Sequence, residues 1–406
     1  MANRKMTHPE TFEGVYKRLE EVMLANSGEN EFEEIFKLVI IKLWKDLKEP
    51  DCIIDNTLSA NKILAKIDQV WKSVLIDTVL KITDEQYQIC KNIISAFDFS
   101  EEGYEGIDAI FEFLISKEKK GAKGQFFTPR YIIDFCVKII NPKNGETVLD
   151  PACGSGAFLY HTYLNGLSDG SSLWGFDFDA TAVRISRLLM YVGEVSGSHI
   201  HKVNSLIRND SRAIISENGL AETSTTIEDI LRIEKFKGLF DVIITNPPFA
   251  GEIVEPEILT NYEVAVGKTR IERDILFIER CIKLLKDNGR MAIVLPDSIF
   301  GGKETKELKK WIYERCRIVG VVGIPRNVFM PHTPVKTSIL FLQRREMRRK
   351  SSENIFFAIS ENPGKDSRGK LIFKHDNSYS WRDVDHDLDE IVPKFRDFIK
   401  NENVGW

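Results

Sequence analysis

Residues 1–116 place apolar side chains at helical spacing. From Glu31 to Leu47, apolar residues recur every three or four positions, which is typical of an amphipathic helix with one buried face. Residues 61–80 and 84–98 have a similar pattern, and another such segment begins at residue 106. We therefore predict an all-helical N-terminal domain spanning residues 1–116.

Beyond residue 130, short apolar runs alternate with amphipathic segments, which is typical of βα units that build a mostly parallel sheet. The predicted strands are 147–150, 173–177, 199–203, 240–245, 290–295, 318–323 and 337–342, and the predicted helices are 131–140, 156–166, 179–194, 271–287 and 303–316. The last two strands are joined by a short connection, which predicts an antiparallel edge pair. Residues 251–268 have little periodicity and are expected to form a mobile loop.

Composition and charge narrow the function classes. The chain has 406 residues, 43% of them hydrophobic, and no apolar run of membrane-spanning length, so we expect a cytoplasmic protein without membrane contact. Its six cysteines show no paired or zinc-binding spacing and are interpreted as reduced thiols. Residues 1–116 carry 13 basic and 22 acidic side chains, whereas residues 117–406 carry 43 and 39. The acidic helical domain is therefore expected to contact protein rather than DNA.

The strand predicted at 240–245 ends in Asn246-Pro247-Pro248-Phe249. Two prolines prevent both further strand pairing and an immediate helix, so these residues should stand at the carboxyl edge of the sheet, where open α/β folds bind ligands. An amide oxygen and a backbone carbonyl there can accept hydrogen bonds from a planar amino group, and Phe249 can stack on its ring. The alternative is a turn after a core strand, with Asn246 as a cap and Phe249 packed inward.

A second motif, Thr147 to Phe158, is interpreted as a strand, a glycine turn and the start of a helix. Gly154 and Gly156 would let a ligand approach the backbone, although the dinucleotide fingerprint is incomplete because Leu159 replaces its third glycine. Asp177 ends the next strand and can accept both hydroxyls of a ribose, or it is a solvated carboxylate. An acid at the end of the first strand, Asp150, suits an ammonium group better than a pyrophosphate. S-Adenosylmethionine fits these residues, because it has a ribose, an adenine and an amino acid head with an ammonium group, and it has no phosphate.

These two motifs in this order resemble the S-adenosylmethionine-dependent methyltransferases that modify adenine N6 in DNA. The segment Gly124 to Arg130, Gly-Gln-Phe-Phe-Thr-Pro-Arg, is similar to the cofactor-lid motif of the modification (M) subunits of type I restriction–modification systems. The resemblance covers roughly residues 105–345. It implies an α/β, Rossmann-like methyltransferase domain at 117–346, after the helical domain, and a polar C-terminal extension at 347–406 that is short for the helical tail of such subunits.

The resemblance also implies site residues. The cofactor would be held by Gln125, Phe126, Phe127, Thr128, Pro129, Arg130, Asp150, Ala152, Cys153, Gly154, Ser155, Gly156, Asp177, Phe178, Asn204 and Ser205. Asn204 stands where relatives often have Asp, so it is either an adenine contact or a turn residue. The catalytic residues would be Asn246, Pro247, Pro248 and Phe249. The target base would stack between Phe249 and Phe329, unless Phe329 fills the core.

The expected partners follow from the same resemblance. They are double-stranded DNA, a specificity subunit bound by two M subunits, and a restriction or translocase subunit. A separate specificity subunit is expected because the roughly 60 residues after the last strand are too few for a domain that reads bases. The basic residues at 117–123 and 344–350 either meet phosphates or are simply solvated. No metal site is predicted, and His199 and His201 are interpreted as structural. Competing functions are methylation of RNA bases or of protein glutamine, and an inactive cofactor-binding scaffold.

Overall fold

The computed structural model of the chain describes residues 11–24, 30–118, 127–167, 169–208, 225–249, 251–301, 305–345, 353–375 and 380–406. The chain divides into two compact units, one comprising residues 1–121 with 187–193 and the other residues 122–186 with 194–406. The domain boundaries at residues 116 and 346 stay predictions.

The first unit is helical, as predicted. Its helices are α1 (Phe12–Leu24), α2 (Glu31–Leu47), α3 (Thr57–Val70), α4 (Asp84–Ile94) and α5 (Phe99–Glu118). Capping boxes at Asn56 and Thr83 begin α3 and α4. The helix predicted at 61–80 instead ends at Val70, because buried Trp71 leaves the helical conformation and Ser73 has a positive φ of 60°.

The second unit contains an eight-stranded sheet in the order β10-β8-β9-β7-β4-β1-β2-β3. Its strands are β1 (Val148–Asp150), β2 (Leu173–Asp177), β3 (His199–Lys202), β4 (Phe240–Thr245), β7 (Leu285–Pro296), β8 (Cys316–Ile324), β9 (Thr337–Arg344) and β10 (Phe356–Ile359). All neighbours are parallel except β9, which runs antiparallel to β7 and β8. The predicted Rossmann-like α/β fold with a helical N-terminal region is confirmed.

The helices of this part of the chain are α6 (Arg130–Ile140), α7 (Ala157–Leu164), α8 (Ala180–Val192), α9 (Ile227–Ile233), α10 (Pro256–Leu259), α11 (Arg273–Leu284), α12 (Ser298–Gly301), α13 (Lys306–Arg315) and α14 (Leu388–Asn401). Short 3₁₀ turns occupy Glu263–Ala265, Arg326–Phe329 and Trp381–Asp383. In the part of the chain that is described, no helix is both long and apolar enough to cross a bilayer.

The segment after the Asn-Pro-Pro-Phe turn is packed and forms short regular elements, in contrast to the irregular loop predicted at 251–268, while its mobility stays a prediction. Its β5 (Glu252–Ile253) pairs with β6 (Ile271–Glu272), and α10 lies between them. Ile258, Leu259 and Tyr262 are buried in the main core. The Tyr262 hydroxyl donates to the Leu206 carbonyl at 2.8 Å. The apolar residues are buried without regular spacing because the backbone changes direction every few residues.

Residues after β9 complete the same sheet, which the sequence pattern did not predict. Strand β10 adds in parallel to β8, outside the antiparallel pair. Helix α14 packs through Phe395, whose ring lies 5.0 Å from that of Phe341 and 4.9 Å from that of Phe356. The Tyr131 hydroxyl, on α6, donates to the Pro363 carbonyl at 2.6 Å. These contacts make the described part of 353–406 an integral layer of the second unit.

Candidate active site

The structure brings the glycine turn and the Asn-Pro-Pro-Phe turn to one edge of the sheet. Strands β1 and β4 are parallel neighbours, with Leu149 opposite Ile243, so both end at the same edge. The last residue of β4, Thr245, donates its hydroxyl to the Asp150 carboxyl at 2.7 Å. The two motifs thus meet through one hydrogen bond between residues that are 95 positions apart in the chain.

Asp150 is a buried carboxyl in a setting that disfavours its charge. It is 1% exposed and accepts hydrogen bonds only from Thr245 and from the Ala152 amide, at 3.0 Å, among the bonds described. Burial raises the pKa of Asp150 to about 7, with a smaller contribution from Asp177, while the two hydrogen bonds act in the opposite direction. A ligand cation beside this group would favour its ionised form.

The glycine turn after β1 presents bare backbone to open space. Gly154 has a φ of +52° and Gly156 a φ of +87°, conformations that favour glycine. A Cβ built on Gly154 would meet no atom within 4 Å, so that side of the turn is open. The Gly154 amide donates to the Asp177 carboxylate at 2.9 Å. The turn and the end of β2 are therefore held together around that open space.

The end of β2 combines a buried acid with an exposed ring. The Asp177 carboxylate is nearly buried and accepts hydrogen bonds from the Gly154 and Asp179 amides, each at 2.9 Å. The next side chain, Phe178, is 71% exposed. A phenylalanine ring in water next to a polar cradle is suited to stacking on a flat ligand.

Asn246 has one end of its amide fixed and the other unsatisfied. Its Nδ2 donates to the Thr128 hydroxyl at 2.8 Å. Its Oδ1 is buried and has no hydrogen-bond partner among the described residues. An unsatisfied buried acceptor costs about 1–3 kcal/mol, which a ligand N–H would recover. Because this oxygen is shielded, a ligand reaches it only when surrounding side chains move.

The two rings predicted to sandwich a base contact each other in this structure. The centroids of Phe249 and Phe329 are 5.8 Å apart and the ring planes are at 81°. Phe329 is 1% exposed, whereas Phe249 is partly exposed. A base held between two phenylalanine rings needs those rings parallel and about 7 Å apart, so Phe249 and Phe329 must separate before a base could enter. Stacking by Phe329 stays a prediction.

Comparison with known proteins gives the family. The model of the N-6 DNA methylase family matches residues 104–404. The chain belongs to the N-6 DNA methylase family.

Curated relatives of the chain include the type I restriction enzyme EcoEI methylase subunit of Escherichia coli, 32% identical over 263 residues that cover 62% of this chain and 49% of that protein. The EcoKI methylase subunit of Escherichia coli strain K12 is 26% identical over 241 residues, covering 58% and 44%. The chain spans about half the length of the curated relatives it matches.

Solved structures show the same fold. A modification subunit assigned to a type I restriction enzyme of Vibrio vulnificus YJ016 aligns with a TM-score of 0.66 at 19% identity, over 98% of this chain and 91% of that one. A type I methyltransferase subunit from Streptococcus thermophilus aligns with a TM-score of 0.57 at 15% identity, over 96% and 79%.

The segment at 124–130, predicted to be a cofactor lid, is only partly described. Gln125 and Phe126 lie outside the described residues, whereas Phe127 to Arg130 are placed. Pro129 begins α6, and the guanidinium of Arg130 donates to the Thr128 carbonyl at 3.2 Å. Thr128 is thereby held from its carbonyl while its hydroxyl meets Asn246.

Several predicted cofactor residues have their polar groups engaged within the protein. The Asn204 Oδ1 accepts from the Leu206 amide at 3.1 Å, which is the turn interaction given as the alternative. Buried Ser205 donates its hydroxyl to the Pro151 carbonyl at 2.6 Å, and so supports the glycine turn from below. Cys153 and Ser155 are also buried, and burial raises the pKa of the Cys153 thiol well above its usual value. Their cofactor roles stay predictions.

The basic stretches differ in how far they are described. Lys119, Lys120 and Lys123, and Arg348, Arg349 and Lys350, lie outside the described residues. Arg344 donates to the Ile282 carbonyl at 3.1 Å and pairs with Asp287 at 3.2 Å. Arg345 forms an ion pair with Glu353. These two arginines therefore brace the protein itself.

Thr245 is a residue of the candidate site that the sequence analysis did not single out. Its hydroxyl orients Asp150, and it is completely buried. Its position directly before Asn246, as the only hydroxyl residue in Val242 to Thr245, was the available signal. Without knowing that β4 lies beside β1, that signal could not be connected to Asp150.

Proposed function

We propose that this N-6 DNA methylase transfers a methyl group from S-adenosylmethionine to the N6 atom of adenine in double-stranded DNA. The observation that carries the proposal is the Asn246 amide, whose nitrogen is anchored on Thr128 and whose buried oxygen has no partner among the described residues. That oxygen can accept a hydrogen bond from a ligand donor, and the exocyclic amine of adenine is one such donor. The glycine turn beside it leaves room for the methyl donor, S-adenosylmethionine.

The residues around the glycine turn fit S-adenosylmethionine, which supplies an electrophilic methyl group on a sulfonium when bound. The open side of Gly154 leaves room for the ligand against the backbone. Asp150 can bind its ammonium group, which compensates the burial that raises the pKa of this carboxyl. The Asp177 carboxylate can accept from ribose hydroxyls, and exposed Phe178 can stack on its adenine.

The Asn-Pro-Pro-Phe turn activates the target amine. The lone pair of N6 is delocalised into the adenine ring, so the amine is a weak nucleophile. Hydrogen bonds from N6–H to the Asn246 Oδ1 and the Pro247 carbonyl favour a pyramidal nitrogen whose lone pair is free to attack. They also stabilise the positive charge that develops on nitrogen. Losing one such preorganised acceptor costs on the order of 10²–10³ in rate.

The target base must leave the duplex, because N6 is not accessible to in-line attack inside the stack. Phe249, partly exposed at the end of the turn, can stack on one face of the extruded base. Phe329 would leave its edge-to-face contact with Phe249 and cover the other face.

We further propose that the chain acts as a type I modification subunit, two copies assembling with one specificity subunit and, in the restriction complex, with a translocase subunit. The described residues after β9 fold onto the catalytic sheet as β10 and α14. Those described residues therefore form part of the methyltransferase layer, and the proposal assigns recognition of the bases to the specificity subunit. The relatives named above, called type I methylase subunits, support this assignment.

A labelled methyl-transfer assay tests the proposal. The chain is co-expressed with its neighbouring specificity protein, and incorporation is measured into duplex DNA, total RNA and release factor. We expect label in DNA adenine only, and none with Asn246→Ala. Label in RNA or in a protein glutamine, with none in DNA when the specificity protein is present, would overturn the proposal.

A further inference from the structure

The outermost strand β3 and the end of α9 bring together three metal-binding side chains. His199 and His201 are two residues apart on β3, so their side chains project from the same face of the strand. Glu234 directly follows α9 as its C-terminal cap. One nitrogen from each histidine and one carboxylate oxygen all lie within 4.8 Å of one another.

The separations within this cluster suit a shared ion better than direct pairing. His199 Nδ1 lies 3.5 Å from one oxygen of Glu234, and His201 Nε2 lies 3.6 Å from the other. A charge-assisted hydrogen bond would be about 2.7–2.9 Å. Two ligand atoms on a tetrahedral Zn²⁺, each bonded at about 2.0–2.2 Å, are roughly 3.4 Å apart. The two nitrogen–oxygen spacings, which go to different oxygens of Glu234, are each close to a tetrahedral edge, and one ligand atom from each residue lies within 4.8 Å of the other two.

Aromatic residues of β2 lie opposite both imidazoles, and one of them stacks on His199. In the β2–β3 pairing, His199 is opposite Trp174 and His201 is opposite Phe176. The Trp174 and His199 rings stack at 3.9 Å with an interplanar angle of 11°. Trp174 and Phe176 are both buried, so they cannot shift easily. The His199 ligand is thereby preorganised, which reduces the entropic cost of binding an ion, whereas the His201 ring lies 6.2 Å from that of Phe176 at an angle of 35°.

We infer that His199, His201 and Glu234 form a binding site for Zn²⁺. Two imidazoles and one carboxylate are ligands that zinc accepts, whereas Mg²⁺ and Ca²⁺ favour oxygen ligands. All three side chains are partly exposed, which leaves the fourth coordination position to water. The sequence analysis interpreted the two histidines as structural, because the third ligand lies 33 positions further along the chain.

The ion joins the outer edge of the sheet to α9. The cluster is on β3, three strands away from β4, which carries the Asn246 turn. Binding of the ion would link His201 to Glu234 and so close a loop of the chain between them. The ion would stabilise the folded state by its binding free energy, because the unfolded chain lacks the site. The expected role is structural, independent of methyl transfer.

The test measures zinc directly, on full-length protein without an affinity tag, and without DNA or S-adenosylmethionine. Equilibrium dialysis should find one Zn²⁺ per chain, and Co²⁺ should give the visible d–d bands of a tetrahedral site. Glu234→Gln and His199→Gln should each weaken binding at least on the order of 100-fold, which is the upper range for losing a residue that only supports a metal ligand. His375→Gln, which alters an exposed histidine elsewhere, should bind as the wild type does.

Thermal unfolding separates lost ligands from a lost fold. Zn²⁺ should raise the Tm of the wild type and of His375→Gln, and leave that of Glu234→Gln unchanged, while the metal-free Tm of Glu234→Gln stays near the wild-type value. Absence of tetrahedral Co²⁺ bands from the wild type would overturn the inference, whether or not the variants fold. So would undiminished zinc binding by Glu234→Gln, or binding that disappears with Cys52→Ser, which removes a partly exposed thiol.

Discussion

Asn246 is bound to Thr128 by a hydrogen bond of 2.8 Å from its side-chain nitrogen to the threonine hydroxyl. The two residues are 118 positions apart and belong to two different motifs, the lid segment and the Asn-Pro-Pro-Phe turn. A hydroxyl that accepts from Nδ2 orients the amide so that Oδ1 is directed away from Thr128. Thr128 is therefore a positioning residue for the acceptor that we assign to the target amine.

Replacing Thr128 tests this positioning role. Thr128→Val keeps the shape of the side chain but removes the acceptor, so the amide loses its anchor. At about 1–1.5 kcal/mol for the lost bond, the rate of methyl transfer in a single turnover should fall about tenfold, with the Kd for S-adenosylmethionine changed by less than about threefold.

Thr128→Ser is the matched control, since it retains the hydroxyl and should recover most of the rate. Equal loss in both variants, or a loss confined to cofactor affinity, would show that the hydroxyl does not act through Asn246.

The affinity for S-adenosylmethionine should depend on pH through Asp150. Burial raises the pKa of this carboxyl to about 7, and only its ionised form attracts the ligand ammonium. Affinity should therefore rise with pH, by up to tenfold per unit, between about pH 5.5 and 7, and level off before the ligand amine loses its proton near pH 8. Titration calorimetry across this range measures the effect.

The same pKa shift has the opposite consequence for the ligand-free fold. Because folding raises this pKa, the contribution of Asp150 to stability is complete below about pH 4, and is lost as pH rises through 7. Asp150→Asn should bind the ligand weakly at every pH, and its ligand-free Tm should fall less than that of the wild type between about pH 5 and 8. If the affinity of the wild type for S-adenosylmethionine does not change with pH, Asp150 does not bind the ligand ammonium group as proposed.

Phe249 and Phe329 should differ in what their removal costs. Phe329 is 1% exposed, so Phe329→Ala should lower the free energy of unfolding by about 3–5 kcal/mol. Phe249→Ala, at a partly exposed position, should cost far less stability but weaken base stacking by about 1–3 kcal/mol. Urea unfolding and the fluorescence of 2-aminopurine at the target position measure the two effects.

Phe329→Leu keeps most of the core volume and isolates the stacking role. If it folds normally and flips 2-aminopurine as the wild type does, the predicted second stacking face is wrong. Loss of the flipping signal in a stably folded Phe329→Leu would support it.

The C-terminal layer can be tested at two glycines of β8. A Cβ on Gly320 would lie 2.5 Å from the Phe395 ring, whereas one on Gly323 would meet its nearest atom at an ordinary 3.6 Å. Gly320→Ala should therefore destabilise the protein by about 1–3 kcal/mol through overpacking, and Gly323→Ala by much less. Thermal unfolding compares them, and equal effects would mean that α14 does not pack on β8 as described.

The sequence correctly predicted the elements whose pattern of apolar residues matches their burial in the folded protein. Strand β4 was predictable because Val242, Ile243 and Ile244 form a β-branched run buried on both faces. Strand β10 was missed because its apolar run is only four residues long and its side chains alternate between partly buried and exposed at the sheet edge.

The site was predictable as a set of motifs but not as a set of contacts. The order of the glycine turn and the Asn-Pro-Pro-Phe turn is visible in one dimension, whereas the Thr245–Asp150 bond depends on β4 lying beside β1. Ser205 looked like a cofactor residue because it follows β3, yet its hydroxyl supports Pro151. Pairing across a sheet has no signature in a single strand.

The most direct test of the account is single-turnover methyl transfer by Asn246→Ala, with S-adenosylmethionine binding measured on the same preparation. The account predicts a rate lower by on the order of 10²–10³ or more, with cofactor affinity retained. The control Asn354→Ala removes an exposed amide that bonds Glu402 at 2.9 Å, and should methylate normally. Undiminished transfer by Asn246→Ala, or a loss explained entirely by weaker cofactor binding, would contradict the role assigned to the Asn246 oxygen.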